Sequence, residues 1–267
     1  MKLQDIFIYP VKSLGGIRKE EGRVLQRGFQ YDRRLMLVDQ SGKFITQRVE
    51  HQLALLQTDL ASNQIHISHK LLPHQTLTVD LPSGKDSSIL VKIWDDVTSA
   101  VHVSEEADEW FSNFLGKNCK LVFMPEMGKR PVDLKYSENN EQVSFADAFP
   151  YLLIGQGTLD ELNSRLSIPV PMNRFRPNLV VSGAMPYEED SWAEIKIGEI
   201  RFKVAKPCAR CVLTTIDQDT GMKGTEPLKT LASYRTINNK VLFGQNLIAL
   251  NEGILRENDQ VEILSYK

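Results

Sequence analysis

The chain has 267 residues, 42% hydrophobic and 25% charged, which is the make-up of a soluble globular protein with one large domain or two ordinary ones. Its 32 basic and 34 acidic side chains leave a net charge of −2, which excludes a general binder of nucleic acid duplexes or membrane surfaces. Three cysteines make no disulfide framework, so a reducing cytoplasm is the expected location.

In chain order, the first stretch, MKLQDIFIYPVKSLGG, is broken by Tyr9-Pro10 and Lys12, unlike the apolar core of a secretory signal. No run is long enough to span a bilayer. LQDIFIYPVKS, RLMLVDQSGKFITQR, LALLQTDL, QIHISH, TLTVDLP and ILVKIW read as short strands. Turn chemistry separates them at Gly15-Gly16, Ser41-Gly42, Ser83-Gly84, Pro73 and Pro82. Gln40-Ser41-Gly42 is expected at the tip of a hairpin. Regularly spaced short strands imply a barrel or a sandwich.

A helix is predicted over SEEADEWFSNFLG, with Ser104 as N-cap, acidic residues in its first turn and Gly116 as its stop. Residues 126–142 read as a long, polar, solvated loop. TLDELNSRL reads as a second helix, with Thr158 and Glu161 placed for a capping box. NLVVSG, WAEIKIGEIRFKVAK, CVLTTID and NLIALNEGILRENDQVEIL then read as further strands.

The chemistry concentrates in KPCARCVLTTIDQDTG, where Cys208 and Cys211 flank Ala209-Arg210. A structural zinc needs about four Cys or His ligands, and His66 with His69 is the one place a second pair could come from. A redox dithiol would open a helix, whereas CVLTTID is expected to continue as a strand. Packed core cysteines and a soft-metal thiolate remain alongside these. Lys206 and Arg210 favour the thiolate by their charge, and a thiolate prefers soft or high-valent metals. Arginines also lead into strands at YDRRLMLV and NRFRPNLVVSG. Lys12 and Ser13 end a strand before Gly15-Gly16, whose backbone N–H groups could approach a phosphate. Together these point to an anionic ligand gripped by guanidinium forks.

YPVKS, DRRLMLV, FADAFP, FRPNLVVSG, DSW and CARCVLTTIDQDTG occur in this order over nearly the full length. In this the chain resembles the MOSC proteins that carry an N-terminal β-barrel domain, the group of the mitochondrial amidoxime reducing component and its bacterial relatives. The resemblance implies a mainly β fold with some α, in which an N-terminal MOSC-type β-barrel domain (1–120) packs on a C-terminal MOSC β-barrel domain (121–267). It also implies a molybdenum–molybdopterin cofactor (Moco). Cys211 would be its metal ligand and catalytic residue, and Cys208 would be left to a supporting role. Lys12, Ser13, Arg33, Arg176 and Arg210 would hold the pterin phosphate and ring. Asp147 and Asn178 would meet its polar edges.

Thr214, Thr215, Asp217, Asp219 and Gly221 are expected to shape the strand and turn after Cys211. Arg48 is expected at the surface. Ala209 stands where a serine is found in relatives. The implied activity is reduction of N-hydroxylated small molecules such as amidoximes, hydroxylamines and N-hydroxylated bases. The alternative is a non-catalytic carrier of the cofactor or of sulfur, and a third reading is a metal-free β-barrel binding module. With no cluster, haem or flavin motif in view, electrons are expected from a separate protein of flavin reductase, ferredoxin or cytochrome type.

Overall fold

The computed structural model describes residues 1–82 and 88–267. The expected turn at Ser83-Gly84 lies outside the described residues. Strand is the prevailing regular structure of the described chain, as the short apolar runs predicted.

The largest sheet is ordered Val261–Tyr266, Trp192–Ile197, Ile200–Arg210, Lys240–Ala249, Tyr151–Gly155, Leu179–Ser182, Lys2–Ile8 and Ile17–Lys19, with Thr236–Ile237 added beside Lys240–Ala249. All its neighbours are antiparallel except Tyr151–Gly155 and Leu179–Ser182, which run parallel. Helix α1 (Glu105–Leu115) covers the N-terminal strands. Helix α2 (Gln156–Ser164) and the short α3 (Leu228–Tyr234) cover the C-terminal ones.

The two halves of the sequence interlock. The first strand, Lys2–Ile8, pairs with Leu179–Ser182 of the second half, and Glu21–Leu25 pairs with Gly253–Arg256. Their apolar sides join one core in which Leu3, Ile6, Trp192, Ile195 and Phe202 have no exposed surface. The expected boundary at 120/121 falls inside the strand Lys120–Phe123, whose neighbours Leu35–Val38 and Asp96–His102 both come from the first half.

Local signals hold where the chain is its own context. Ser104 caps α1 by accepting from the Ala107 N–H at 3.1 Å, and Gly116 ends it in the left-handed conformation. Asp39 to Lys43 forms the expected tight turn. Elsewhere packing overrides the signal. Helix α2 begins at Gln156, so no capping box forms; Thr158 donates instead to the buried Glu189 carboxylate at 2.8 Å. CVLTTID is no strand, because Val212–Thr215 winds into a 3₁₀ turn. The 126–142 segment is not merely solvated: Arg130, Val132 and Glu141 are buried, and Arg130 bonds Asp96 and the carbonyls of Ser144 and Asp147.

One irregularity positions the cysteine pair. Between Ile200–Arg210 and Lys240–Ala249, Pro207 pairs with Gln245 but Ala209 pairs with Leu242, so Phe243 and Gly244 together face Cys208. Such a bulge re-aims side chains and needs a residue that tolerates positive φ; Gly244 has φ +79°. A β-carbon there would stand 2.8 Å from the Leu153 carbonyl oxygen. Gly244→Ala should therefore destabilise the protein by roughly 1–3 kcal/mol, read as a lower urea midpoint with an unchanged slope.

Candidate functional site

Loops from both halves of the sequence meet at an open cleft with an empty volume of about 840 Å³, counting its mouth. All eight expected site residues line it: Lys12, Ser13, Arg33, Asp147, Arg176, Asn178, Arg210 and Cys211. Cys208, Arg48 and Arg174 line it as well.

Cys211 is placed by the end of a strand. Among the described residues, the strand Ile200–Arg210 is paired past Lys203 only with Lys240–Ala249, so the stretch leading to Cys211 has an open side. The strand stops at Arg210. The Cys211 carbonyl then accepts from the Thr214 N–H at 3.1 Å and the Thr214 hydroxyl at 3.0 Å, which starts the 3₁₀ turn. Asp217 closes the loop beyond it by accepting from the Asp219 and Thr220 N–H groups, as its spacing predicted.

Six cationic side chains line the cleft (Lys12, Arg33, Arg48, Arg174, Arg176 and Arg210) against one carboxylate, Asp147. Most are held by carbonyl oxygens, which satisfy an N–H without cancelling its charge. Arg176 Nη1 donates to Leu14 O at 2.6 Å, and Arg33 Nη2 to Arg176 O at 3.1 Å. Arg210 Nη2 donates to Phe175 O at 2.5 Å, and Lys12 Nζ to Phe145 O at 2.7 Å. Arg210 Nη1 reaches Cys208 Sγ at 2.9 Å, whereas its Nε is buried with no partner. Arg174 turns to the loop after Cys211, donating to the Thr214 and Glu226 carbonyls. Arg34 turns away to Met124, so the double arginine of YDRRLMLV sends one member in and one out.

Ser13, Arg33 and Arg176 all adopt positive φ, at +74°, +48° and +57°. Non-glycine residues pay for this conformation, and it persists where surroundings impose it. Pro177 disfavours the ordinary helical region for Arg176, and both arginines lie over the Tyr9 ring, at 4.2 and 4.3 Å. Burial pushes the Tyr9 hydroxyl up to about 12 despite those charges, so the ring is a neutral wall between cations. The expected role of Gly15-Gly16 is corrected here. The Gly15 N–H is taken by Leu56 O at 2.8 Å, and Gly16 is small because Tyr9 packs on it.

Arg48 is not a surface residue. Its Nε donates to Cys211 Sγ at 3.2 Å and its Nη2 to Asp147 Oδ2 at 2.6 Å, and its guanidinium lies over Trp94. Its signal was the one that marked Arg33 and Arg176, an arginine at the end of an apolar run. Asp147 also takes Lys12 at 2.6 Å. The cleft walls around it oppose its charge although half of the side chain is exposed, but Lys12 and Arg48 hold the carboxyl far below the usual range. Asn178 faces inward yet is engaged: its Oδ1 accepts from Arg33 at 3.0 Å and from the Leu152 N–H, and its Nδ2 donates to Phe7 O. It positions Arg33. Among the described residues no His, Cys, Asp or Glu group has the makings of a zinc site, and His66 binds Thr78 instead.

The profile of the MOSC domain matches residues 140–262, and that of the MOSC N-terminal beta barrel domain matches residues 1–118. Mitochondrial amidoxime-reducing component 1 of Mus musculus is 33% identical over 97% of this chain and 81% of its own length. The Homo sapiens protein of the same name is 33% identical over 97% and 82%. Molybdenum cofactor sulfurase of Oryza sativa subsp. japonica is 33% identical over 91% of this chain, which spans 32% of that longer protein.

Lys12 yields a pH test. Burial lowers its ammonium to about 8, against the pull of Asp147, whereas an unfolded lysine holds its proton to about 10.4. Between these values the unfolded chain binds more protons, so stability rises with pH through that window. The stability contributed by this group is lost as pH falls through 8. Urea unfolding from pH 7.5 to 10 should show this rise in the wild type and a smaller one in Lys12→Met.

Proposed function

The chain belongs to the family of MOSC-domain proteins with an N-terminal MOSC β-barrel domain, and from that premise we propose that it is a molybdenum-cofactor oxidoreductase acting on N-hydroxylated compounds. The observation that carries this reading is the convergence of two half-buried thiols, Cys208 and Cys211, with six cations in one cleft.

The donor set fits the group. A phosphate dianion in a partly buried cleft needs charged, pre-aimed donors. Among the described residues, Lys12 has an N–H beyond its two bonds, Arg176 has only Nη1 engaged, and the Arg210 Nε is a buried donor with no acceptor. A thiolate at Cys211 suits a soft or high-valent metal. When bound, the molybdenum supplies the two-electron reduction that removes the hydroxyl oxygen of the N–OH group.

The chain's own residues do the rest. Cys211 would hold the metal, and the Arg48 N–H on its sulfur would orient that ligand and balance its charge. Asp147 stays ionised and ties Arg48 to Lys12, so the guanidinium beside Cys211 and the ammonium of Lys12 keep a set spacing. Arg33 fixes the Arg176 backbone. Electrons come from a separate protein of flavin reductase, ferredoxin or cytochrome type. We place the chain in a reducing cytoplasm, in keeping with three free cysteines. No helix of the described residues is long and apolar enough to cross a membrane.

A second reading, a carrier of the cofactor or of its sulfur, draws on the likeness to molybdenum cofactor sulfurase. Two measurements separate them. Protein made in a cofactor-competent host should contain stoichiometric molybdenum by elemental analysis, and Cys211→Ser should lose it. The loaded wild type should then reduce benzamidoxime with a chemical electron donor. Molybdenum without turnover would leave the carrier and remove the reductase.

A further inference from the structure

The hairpin joining Ser88–Ile93 to Asp96–His102 turns through two residues, since Ile93 pairs with Asp96. Trp94 takes the first of them with φ +55°. Turns of this length favour glycine, asparagine or aspartate wherever φ is positive, because a β-carbon there crowds the backbone. The Trp94 side chain is also 46% exposed. A large apolar ring thus sits in a strained backbone position and faces solvent, a combination that folding alone does not favour.

Its neighbours show what it borders. The Arg48 guanidinium lies 4.7 Å from the ring centroid, and the same guanidinium donates to Cys211 Sγ at 3.2 Å. Phe44 meets the ring edge-on at 5.0 Å, and Lys12 of the cleft lies over Phe44. Two more exposed apolar residues stand next in sequence to this wall: Val49, 74% exposed, follows Arg48, and Val212, 40% exposed, follows Cys211. A half-exposed aromatic ring thus flanks Arg48, the guanidinium that lines the cationic cleft and reaches Cys211.

We propose that Trp94 is a stacking platform at the cleft mouth that selects flat, conjugated N-hydroxylated substrates over small aliphatic ones. This rests on the reading of the cleft as a reductase site and gives that site a substrate class. One part of the indole is held by Arg48 and Phe44, and the exposed remainder receives the substrate. A conjugated body stacks there while its N–OH end points past Arg48 towards Cys211. An aliphatic amidoxime presents the same polar end and nothing to stack. If Trp94 only buttressed Arg48, its loss would slow every substrate alike.

The test uses the molybdenum-loaded full chain with Trp94→Asn, which suits positive φ, and Trp94→Phe, which keeps a ring. Turnover of benzamidoxime and acetamidoxime is measured with a chemical electron donor. The kcat/KM ratio of the aromatic to the aliphatic substrate should fall about tenfold in Trp94→Asn, equivalent to about 1.4 kcal/mol, chiefly through KM. Trp94→Phe should restore most of it. An equal loss on both substrates overturns the proposal. In a second arm, benzamidoxime should quench the indole fluorescence of the wild type and not that of Trp94→Asn, with acetamidoxime quenching neither. Absence of wild-type quenching overturns the platform. Quenching without turnover of either oxime supports it and removes the reductase reading, so the two failures are separable.

Discussion

Holding six positive side chains around one cleft, in a chain whose net charge is −2, is the constraint on which the rest of the structure depends. Like charges at such range repel, and the repulsion grows as water is excluded. Neutralising each with a carboxylate would relieve it and abolish the attraction for an anion. The chain offsets only part of the charge, pairing Lys12 and Arg48 with Asp147, Arg33 with Asp32 and Arg174 with Asp217, and it ties Lys12, Arg33, Arg174, Arg176 and Arg210 to backbone carbonyls of other segments. A carbonyl fills a donor and leaves the charge in place. Each tie also joins two distant stretches, so the cations crosslink the loops that carry them. The positive cleft and the packing of the loops are therefore one arrangement.

The backbone adapts to that arrangement. Ser13, Arg33 and Arg176 hold conformations that non-glycine residues avoid, and each lies where two loops cross. Arg33 and Arg176 both lie over the neutral, polarisable Tyr9 ring. The buried Asp32 carboxylate, which accepts from Arg33 and from the Tyr9 N–H, anchors the same corner. Removing this stack would leave two guanidinium groups with no reason to stay together.

Cys211 depends on a different device. The bulge at Phe243 and Gly244 shifts the register at Cys208, and the strand, paired on one side only beyond Lys203, ends at Arg210 just before Cys211. Arg48 then meets the sulfur from the first half of the chain. The floor and the rim consequently differ in character. Charge and carbonyl ties build the floor from both halves, whereas Trp94 presents half-exposed apolar surface against Arg48, the partner of the thiol. A ligand with an anionic tail and a flat apolar partner would find both surfaces in one opening.

How much of this is legible in the sequence depends on the range of each interaction. Ser104 capping α1, the turn at Asp217 and the alternation of short strands are set within a few residues, and all appear in the structure. Arg33, Arg176 and the cysteine pair stand out because charge beside an apolar run is a local anomaly. The sequence by itself determined which chemistry was available, a thiol among guanidinium groups on a β framework. Only the tertiary structure decided that Arg48 reaches Cys211 while Arg34 turns away, that Asn178 serves Arg33, and that Trp94 borders the opening. Those outcomes depend on contacts between residues as much as 163 positions apart, and no local pattern of polarity or spacing encodes which distant segments a fold brings together.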